Sequence, residues 1–473
     1  MTQAWLLKQG TIVNPLQSGI FTGDMRMTGG TIDDISESIE QRPGDKVVDA
    51  TGKWVMPGLV DMHVHISRSP VAHHMLVKAG VTTALDLASM PDEMTEGFLT
   101  HGAGLTLGFL YPLVPGKTLS GNDPSVAELE VAISHALRNG ALGVKILGGH
   151  YPLTGTATRN AVELAHRRQC WIAVHAGTVE TPGDIEGLEE LVRIAGAHPV
   201  HIAHVNSYCR GSGNNSPLDE ARRAMNALQT VPHCRSESYL ALINGTSGKL
   251  DPHGIPQSHV TRRCLLKGGY TADIAGIKKA IHDGWAKVNV LDRDKHNIIF
   301  PEPDVALRHY MELNGELRLS FPVNAPLASI PLAIAKDTRG QFIVDALATD
   351  GGEIPRNITL HQGLCLVHYG ALTPNELALK ACWTPACLLG LKKKGGLVPS
   401  ADADVIVVDP LTSIVKWAFI EGCCVLENGN VRGTRGRFVT SEEGLGFFES
   451  KSIPCISTAP TWLSMNANEN RTP

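Results

Sequence analysis

The strongest constraint on this chain is a rhythm that runs from Thr51 to Asp350, in which short apolar runs alternate with amphipathic segments. The runs include 81–87 (VTTALDL), 105–110 (LTLGFL), 142–147 (LGVKIL), 171–175 (WIAVH), 199–204 (PVHIAH) and 342–350 (FIVDALATD). Strands this uniformly apolar are buried on both faces, as in a parallel sheet covered by helices. The intervening segments carry helix starts. Ser125 and Glu128 have the spacing of a capping box, Asp184 precedes a 3.6-period apolar stripe, and Ser216-Pro217 and Thr373-Pro374 place proline at the first helical position. Alternation sustained over about 300 residues predicts a closed (β/α)8 barrel of the TIM type, a fold that reaches this size as one domain. An open doubly wound sheet would need a glycine-rich phosphate loop after its first strand, and none stands in that context.

The two ends differ from the middle. Residues 4–55 and 395–440 read as short strands joined by Gly and Asn/Asp turns, which predicts one small β-sandwich domain built from both termini. The expected division is therefore 1–55 with 391–440 as the β-domain, 56–390 as the barrel, and 441–473 as an arm or tail. An insertion rich in Gly, Pro, His and charge is expected at about 242–320, after the seventh strand. Lys plus Arg is 42 against 47 Asp plus Glu, a net charge of −5 with no basic block, which argues against nucleic acid as a partner. No apolar stretch is long enough to span a bilayer, and residues 1–10 (MTQAWLLKQG) lack a signal-peptide core, so neither membrane nor secretion is expected. The ten cysteines form no C-x-x-C pair and read as free thiols of a cytoplasmic protein. Twenty histidines are an excess that suggests chemistry.

Polar residues interrupt the strand ends. His63 and His65 (VDMHVH) are two apart, so on a strand they share a face and could grip one metal ion. Lys145 lies within LGVKIL, His175 closes WIAVH, His204 closes PVHIAH and Asp350 closes ALATD. In a barrel the C-terminal strand ends meet at one mouth, so these six would converge. Four histidines and a carboxylate suit zinc or a similar divalent ion. A protonated lysine in an apolar strand is costly and repels cations. Lys145 could snorkel outward or pair with Asp350, but within this set carbamylation by CO2, giving an anionic bridge between two ions, is the reading adopted.

The run VMPGLVDMHVH, the Lys145 strand, WIAVHAG, HIAHVNS, ALATDGG and KKKGGLVPSADADVIVVD resemble, in order and over residues 4–430, the amidohydrolase superfamily. Within it the likeness is to the hydantoinase, dihydroorotase and D-aminoacylase branch with its binuclear metal centre, and RSESYLAL is similar to the seventh-strand segment of hydantoinases. The resemblance implies that His63, His65 and Asp350 hold one divalent ion, His175 and His204 a second, and N6-carboxylysine at Lys145 bridges them. It also implies a homo-oligomer, a small-molecule substrate, and hydrolysis of an amide-like C–N bond by a bridging hydroxide, with Asp350 as general base and then acid. D-aminoacylases place cysteine where this chain has Lys145, which favours the hydantoinase side.

Substrate selection is less legible. Hydantoinases place an oxyanion-binding tyrosine five residues after the carboxylated lysine, where this chain has His150; the role is divided among His150, Tyr151 and Tyr239. Dihydroorotases place a carboxylate-binding arginine two after H-x-H, where this chain has Ser67, with Arg68 one later. Arg68 and Arg210 are the candidate anion clamps. The reading is a hydrolase of a cyclic amide, imide or ureide. N-acyl D-amino acid deacylation and hydrolytic desulfurisation of a thiohydantoin are alternatives with the same metals, and a non-catalytic hydantoinase-fold scaffold is a fourth, disfavoured because all six ligand types are present.

Overall fold

A computed structural model describes residues 3–211 and 215–463. Eight parallel strands follow one another around a barrel: Leu59–His65, Val81–Leu87, Ala103–Leu113, Gly143–Leu147, Trp171–His175, His201–Ile202, Arg235–Ser238 and Ala346–Leu347. Closure comes from the last passage of chain. Ala346–Leu347 pairs with the seventh strand, and Gly351–Gly352, after three intervening residues, pairs with Val64 and His65 of the first. Four helix starts lie where the sequence predicts them, with Ser125, Asp184, Ser216 and Thr373 each accepting a backbone N–H of the first turn.

The sixth and eighth strands are shorter than their apolar runs. His204 and Asp350 both have positive φ, 35° and 49°, so the ladder stops just before each. A non-glycine residue in that region is uncommon and costs about 1–3 kcal/mol, a cost most often found where a side chain must be aimed.

The β-domain is a nine-stranded sheet. Val405–Val408 runs antiparallel to Trp54–Pro57, and this pairing splices the C-terminal strands onto the N-terminal ones. Strand Trp5–Val13 pairs on one edge with Ile20–Thr28 and on the other with Lys46–Asp49 along its first half and Trp54–Pro57 along its second. The ladder with Ile20–Thr28 has a bulge between Leu7 and Gly10, level with the change of partner, and a Cβ at Gly10 would lie 2.5 Å from Val55. Trp5, Met25, Val407 and Phe419 belong to a core separate from the barrel's.

Between the seventh and eighth barrel strands, Asn244–Ser247, Arg318–Phe321 and Lys287–Val288 form a three-stranded sheet. With helices His259–Lys267, Ile274–His282 and Pro303–Glu312 it builds a third core around Leu265, Ile277, Leu319 and Phe321. Its hairpin, Val290–Asp292 and Asn297–Ile299, reaches helix Ala72–Lys78, where the rings of His74 and His296 stack at 4.3 Å. After the β-domain, Arg435–Thr440 lies parallel to the lower half of the third barrel strand, and Cys455–Ser457 pairs with it in turn. Trp462 then packs edge-on against Trp171 at the barrel's N-terminal opening. Residues 464–473 of the expected arm lie outside the described residues. Among the described residues no helix is long and apolar enough to cross a membrane.

Candidate metal centre and active site

His63, His65, Lys145, His175, His204 and Asp350 all line one cavity at the C-terminal mouth of the barrel. The Asp350 carboxylate faces the first strand, with Oδ1 3.4 Å from His63 Nε2 and 3.1 Å from His65 Nε2. One donor atom from each of the three lies within 4.8 Å of the others. The His175 and His204 rings meet edge to face at 4.3 Å, and His204 stacks on His63 at 5.0 Å. Gly149, just past the fourth strand, admits this packing, since a Cβ there would fall 2.1 Å from His175 Nε2.

The electrostatics suit cation ligands. Burial pushes His63 down to about 4 and His175 and His204 well below the ordinary imidazole value, so the rings are neutral and their lone pairs available. Burial also lowers Lys145 to about 8, against the opposing pull of Glu237 and Asp350. Asp350 behaves in the opposite sense: burial would raise it, but Arg356, His63 and His65 hold it well below the usual carboxylate range. Lys145 Nζ and His204 Nδ1 are buried without a hydrogen-bond partner. An unsatisfied buried group costs about 1–3 kcal/mol, and a ligand at this spot would remove that cost. Neutral imidazoles, a carboxylate and an unpartnered amine able to become a carbamate therefore fit divalent cations.

Four further sequence candidates, Arg68, His150, Tyr151 and Arg210, line the same cavity. Arg68 is occupied: Nε pairs with Glu96 at 2.6 Å and Nη1 with Glu93 at 3.5 Å, and its side chain is 57% exposed. His150 opens onto the cavity between His175 and His259, and burial first, then His259, pushes it down to about 4. Tyr151 stands half-exposed at the rim. Tyr239 is buried and is absent from the lining; its hydroxyl sits 3.0 Å from Ser207 Oγ and accepts from Asn324 Nδ2 at 3.2 Å.

Two residues that sequence reasoning missed hold the centre together. Glu237, wholly buried on the seventh strand, accepts from His63 Nδ1 at 2.7 Å and from the His204 backbone N–H at 2.8 Å. Burial opposes its ionisation, yet His63 and His201 bring it down to about 2. Arg356, in the loop after the eighth strand, pairs through Nη2 with Asp350 Oδ2 at 2.6 Å and donates from Nε to the Asp350 carbonyl. Glu237 had a signal, an acid in the strand RSES that alternation aims inward; Arg356 had none, since its contact crosses an irregular loop.

No protein-family model matches the chain. Over 448 residues it is 22% identical to a dihydroorotase of Pelobacter propionicus, covering 86% of this chain and 89% of that one. Its fold matches the crystal structure of dihydropyrimidinase from Brevibacillus agri with a TM-score of 0.62 at 15% identity, covering 92% of this chain and 98% of the other. It matches N-acyl-D-glutamate deacylase from Bordetella bronchiseptica with a TM-score of 0.65 at 14% identity and the same coverage. In barrel, spliced β-domain and sequence the chain is thus similar to the dihydroorotases, hydantoinases and D-aminoacylases of the amidohydrolase superfamily.

Proposed function

We propose that this protein is a metal-dependent hydrolase that opens a cyclic amide, imide or ureide. The observation that carries the reading is the convergence of His63, His65 and Asp350 within 4.8 Å in the cavity that Lys145, His175 and His204 also line. His63, His65 and Asp350 would hold one divalent ion, His175 and His204 a second, with Lys145 joining them as N6-carboxylysine. The donor set suits Zn2+, and the Bordetella deacylase structure is a zinc complex. Bound there, the cations would supply a lowered pKa for water and polarisation of the scissile carbonyl.

The chain's own groups do the rest. Asp350 turns Oδ1 to the first-strand histidines and Oδ2 to Arg356, which fixes the carboxylate plane. It takes a proton from the attacking water and passes it to the departing ring nitrogen, so the products are a carboxylate and an N–H. Neutral His150 is a hydrogen-bond donor for the developing oxyanion, with Tyr151 at the rim as the other candidate. Tyr239, with its hydroxyl engaged below the cavity floor, is read as support for Arg356, whose guanidinium stacks 4.8 Å above its ring. In this reading 56–390 carries the chemistry, and 1–55 with 391–440 braces it. Ten cysteines outside any disulfide suit a reducing compartment, here read as the cytoplasm.

Metal analysis coupled to a screen of hydantoins, dihydropyrimidines, thiohydantoins and N-acyl amino acids tests this reading. The expected outcome is about two ions per chain, ring opening, and loss of activity in Asp350→Ala. Less than about one ion per chain, with activity intact in Asp350→Ala, overturns it. Turnover of N-acyl amino acids alone transfers the same centre to a deacylase, and sulfide release from thiohydantoins to a desulfurising hydrolase.

A further inference from the structure

We infer that the substrate ring carries an anionic arm, a carboxylate or similar oxyanion, and that Arg210 receives it on the wall where the sixth-strand loop meets the insertion. The inference rests on the cyclic-amide reading and goes on to specify the substrate. The cavity has a volume of about 1410 Å3, above the roughly 300–1,000 Å3 usual for small-molecule sites. A bare five- or six-membered ring at the metal centre would leave much of it unfilled, so the substrate extends beyond the ring.

The charges of the lining say what the extension is. Elsewhere around the cavity each carboxylate is matched: Glu93 by Arg68, Glu353 by Arg318, and Asp350 by Arg356. Asp86 accepts from the Ile66 backbone N–H and the Ser89 hydroxyl, and Asp184 caps its helix. Against these, Arg210, Arg263 and Lys267 crowd one wall, and none has an ion-pair partner among the described residues. The carboxylate that accompanies them in the lining is Glu220, which accepts the Gly211 N–H at 2.7 Å. Three cations facing one carboxylate leave this wall positive, and a cleft of one sign concentrates ligands of the other.

Arg210 is the member that is held in place. Its Nε donates to Asn324 Oδ1 at 2.9 Å, and one Nη2 proton points to Ser207 Oγ at 3.4 Å. Asn324 is itself fixed, donating to the carbonyls of Ala241 and Ile243 at 3.0 and 2.9 Å and to the Tyr239 hydroxyl. Both partners of the guanidinium are neutral, so its charge is uncancelled. Nη1 and the second Nη2 proton remain for the two-point contact a carboxylate makes. A cation pre-set by neutral oxygens binds an anion without first ordering its own side chain. Arg210 follows the sixth strand and lines the cavity that the metal-ligand candidates also line, which sets the arm on the sixth-strand side of the centre.

The test compares kcat/KM of the zinc-loaded full chain on 5-propylhydantoin and 5-(2-carboxyethyl)hydantoin, and on the matching pair of substituted dihydropyrimidines. Wild type, Arg210→Met and Arg210→Lys are measured at low and high salt. The expected result is a preference for the carboxylated arm of about 10- to 100-fold, the scale of a charged hydrogen-bonded contact. It should be carried mainly by KM, weaken in salt, and shrink toward unity in Arg210→Met, with Arg210→Lys intermediate. Equal kcat/KM for neutral and carboxylated arms in wild type overturns the proposal while leaving the cyclic-amide reading intact, and this comparison needs no variant to fold. A preference that survives in a folded, metal-replete Arg210→Met also overturns it. If neither ring series opens while N-acyl amino acids do, the reading beneath it has failed.

Discussion

Glu237 touches His63 on the side away from the cavity, and that contact decides which nitrogen of His63 can act. With Nδ1 bonded to Glu237 at 2.7 Å, the Nε2 lone pair is the one turned toward Asp350. A carboxylate behind a ligating imidazole fixes its tautomer and raises its basicity, and losing it costs about 10- to 100-fold in metal affinity. Glu237→Gln should therefore weaken metal retention by about that factor in a chelator competition, while the circular dichroism spectrum stays as in wild type; unchanged retention would deny Glu237 this role. The centre was legible where a residue type was out of place: His, Lys and Asp at the ends of apolar runs point to chemistry whatever the fold. Glu237 stands in a polar segment, RSES, where an acid is not out of place, so its role was less legible. His73 is the opposite case, a buried imidazole outside the centre with neither nitrogen bonded. Burial, then His101 and His74, lower it to about 3, below the 6.5 of the unfolded chain. The folded state thus resists a proton that the unfolded state accepts, so stability falls as pH drops below about 6.5, by up to about 1.4 kcal/mol per pH unit. His73→Met, similar in volume and apolar, should lose about that much less than wild type between pH 7.5 and 5.5 in urea denaturation. An identical pH slope in the two proteins would show that His73 is not the source.

Two helix starts that read alike in sequence differ at the scale of the element. In Pro374–Ala378 both halves of the capping box form: the Glu376 N–H donates to Thr373 Oγ1 at 3.2 Å and the Thr373 N–H to Glu376 at 2.7 Å. In Val126–Arg138 Ser125 accepts the Glu128 N–H, but the Glu128 carboxylate turns to the Ser120 hydroxyl at 2.8 Å. Removing a cap costs about 0.5–2 kcal/mol. Thr373→Ala should fall in the upper half of that range and Ser125→Ala in the lower, read from denaturant midpoints at constant m-value. The reverse order would mean that the reciprocal bond adds nothing. Caps were legible because they are local, whereas strand ends were not. The run 199–204 promised six residues of strand, yet pairing is confined to His201–Ile202, since positive φ at His204 breaks the ladder to turn the ring inward. Nothing in the sequence marks that turn, because it is imposed by neighbours a strand away. The insertion was visible as a break in rhythm, but its reach to His74 through His296 depends on tertiary packing alone.

At the scale of the whole molecule, the barrel and the spliced β-domain meet at a buried lysine. Lys394, after the last barrel helix, places Nζ 2.7 Å from Asp404, 3.3 Å from Asp402 and 3.7 Å from Glu421, which flank the strands Val405–Val408 and Val415–Ile420. The Asp404 carbonyl in turn accepts the Gly58 N–H, one residue before the first barrel strand. Lys392 to Lys394 are three adjacent lysines in sequence, and which of them goes inside is set by acids that arrive eight to twenty-seven positions after Lys394. Burial alone would lower the Lys394 ammonium, but Asp404, Asp402 and Glu421 outweigh it and raise its pKa. A group whose folded value exceeds its unfolded one stabilises fully below the unfolded value, near 10.5, and loses that stabilisation as pH climbs through the folded value. Lys394→Met strands the carboxylates without their cation and should cost about 3–5 kcal/mol at neutral pH. Adding Asp404→Asn should recover part of the loss, because it removes a stranded charge and not only a contact. The wild type should lose stability above about pH 10.5 more steeply than Lys394→Met does. Hydrogen exchange should locate the effect at the splice, with faster opening of Trp54–Pro57 and Val405–Val408 than of the barrel strands that carry His63 and His175. Uniform loosening of both parts would mean that Lys394 contributes general packing and does not couple the two.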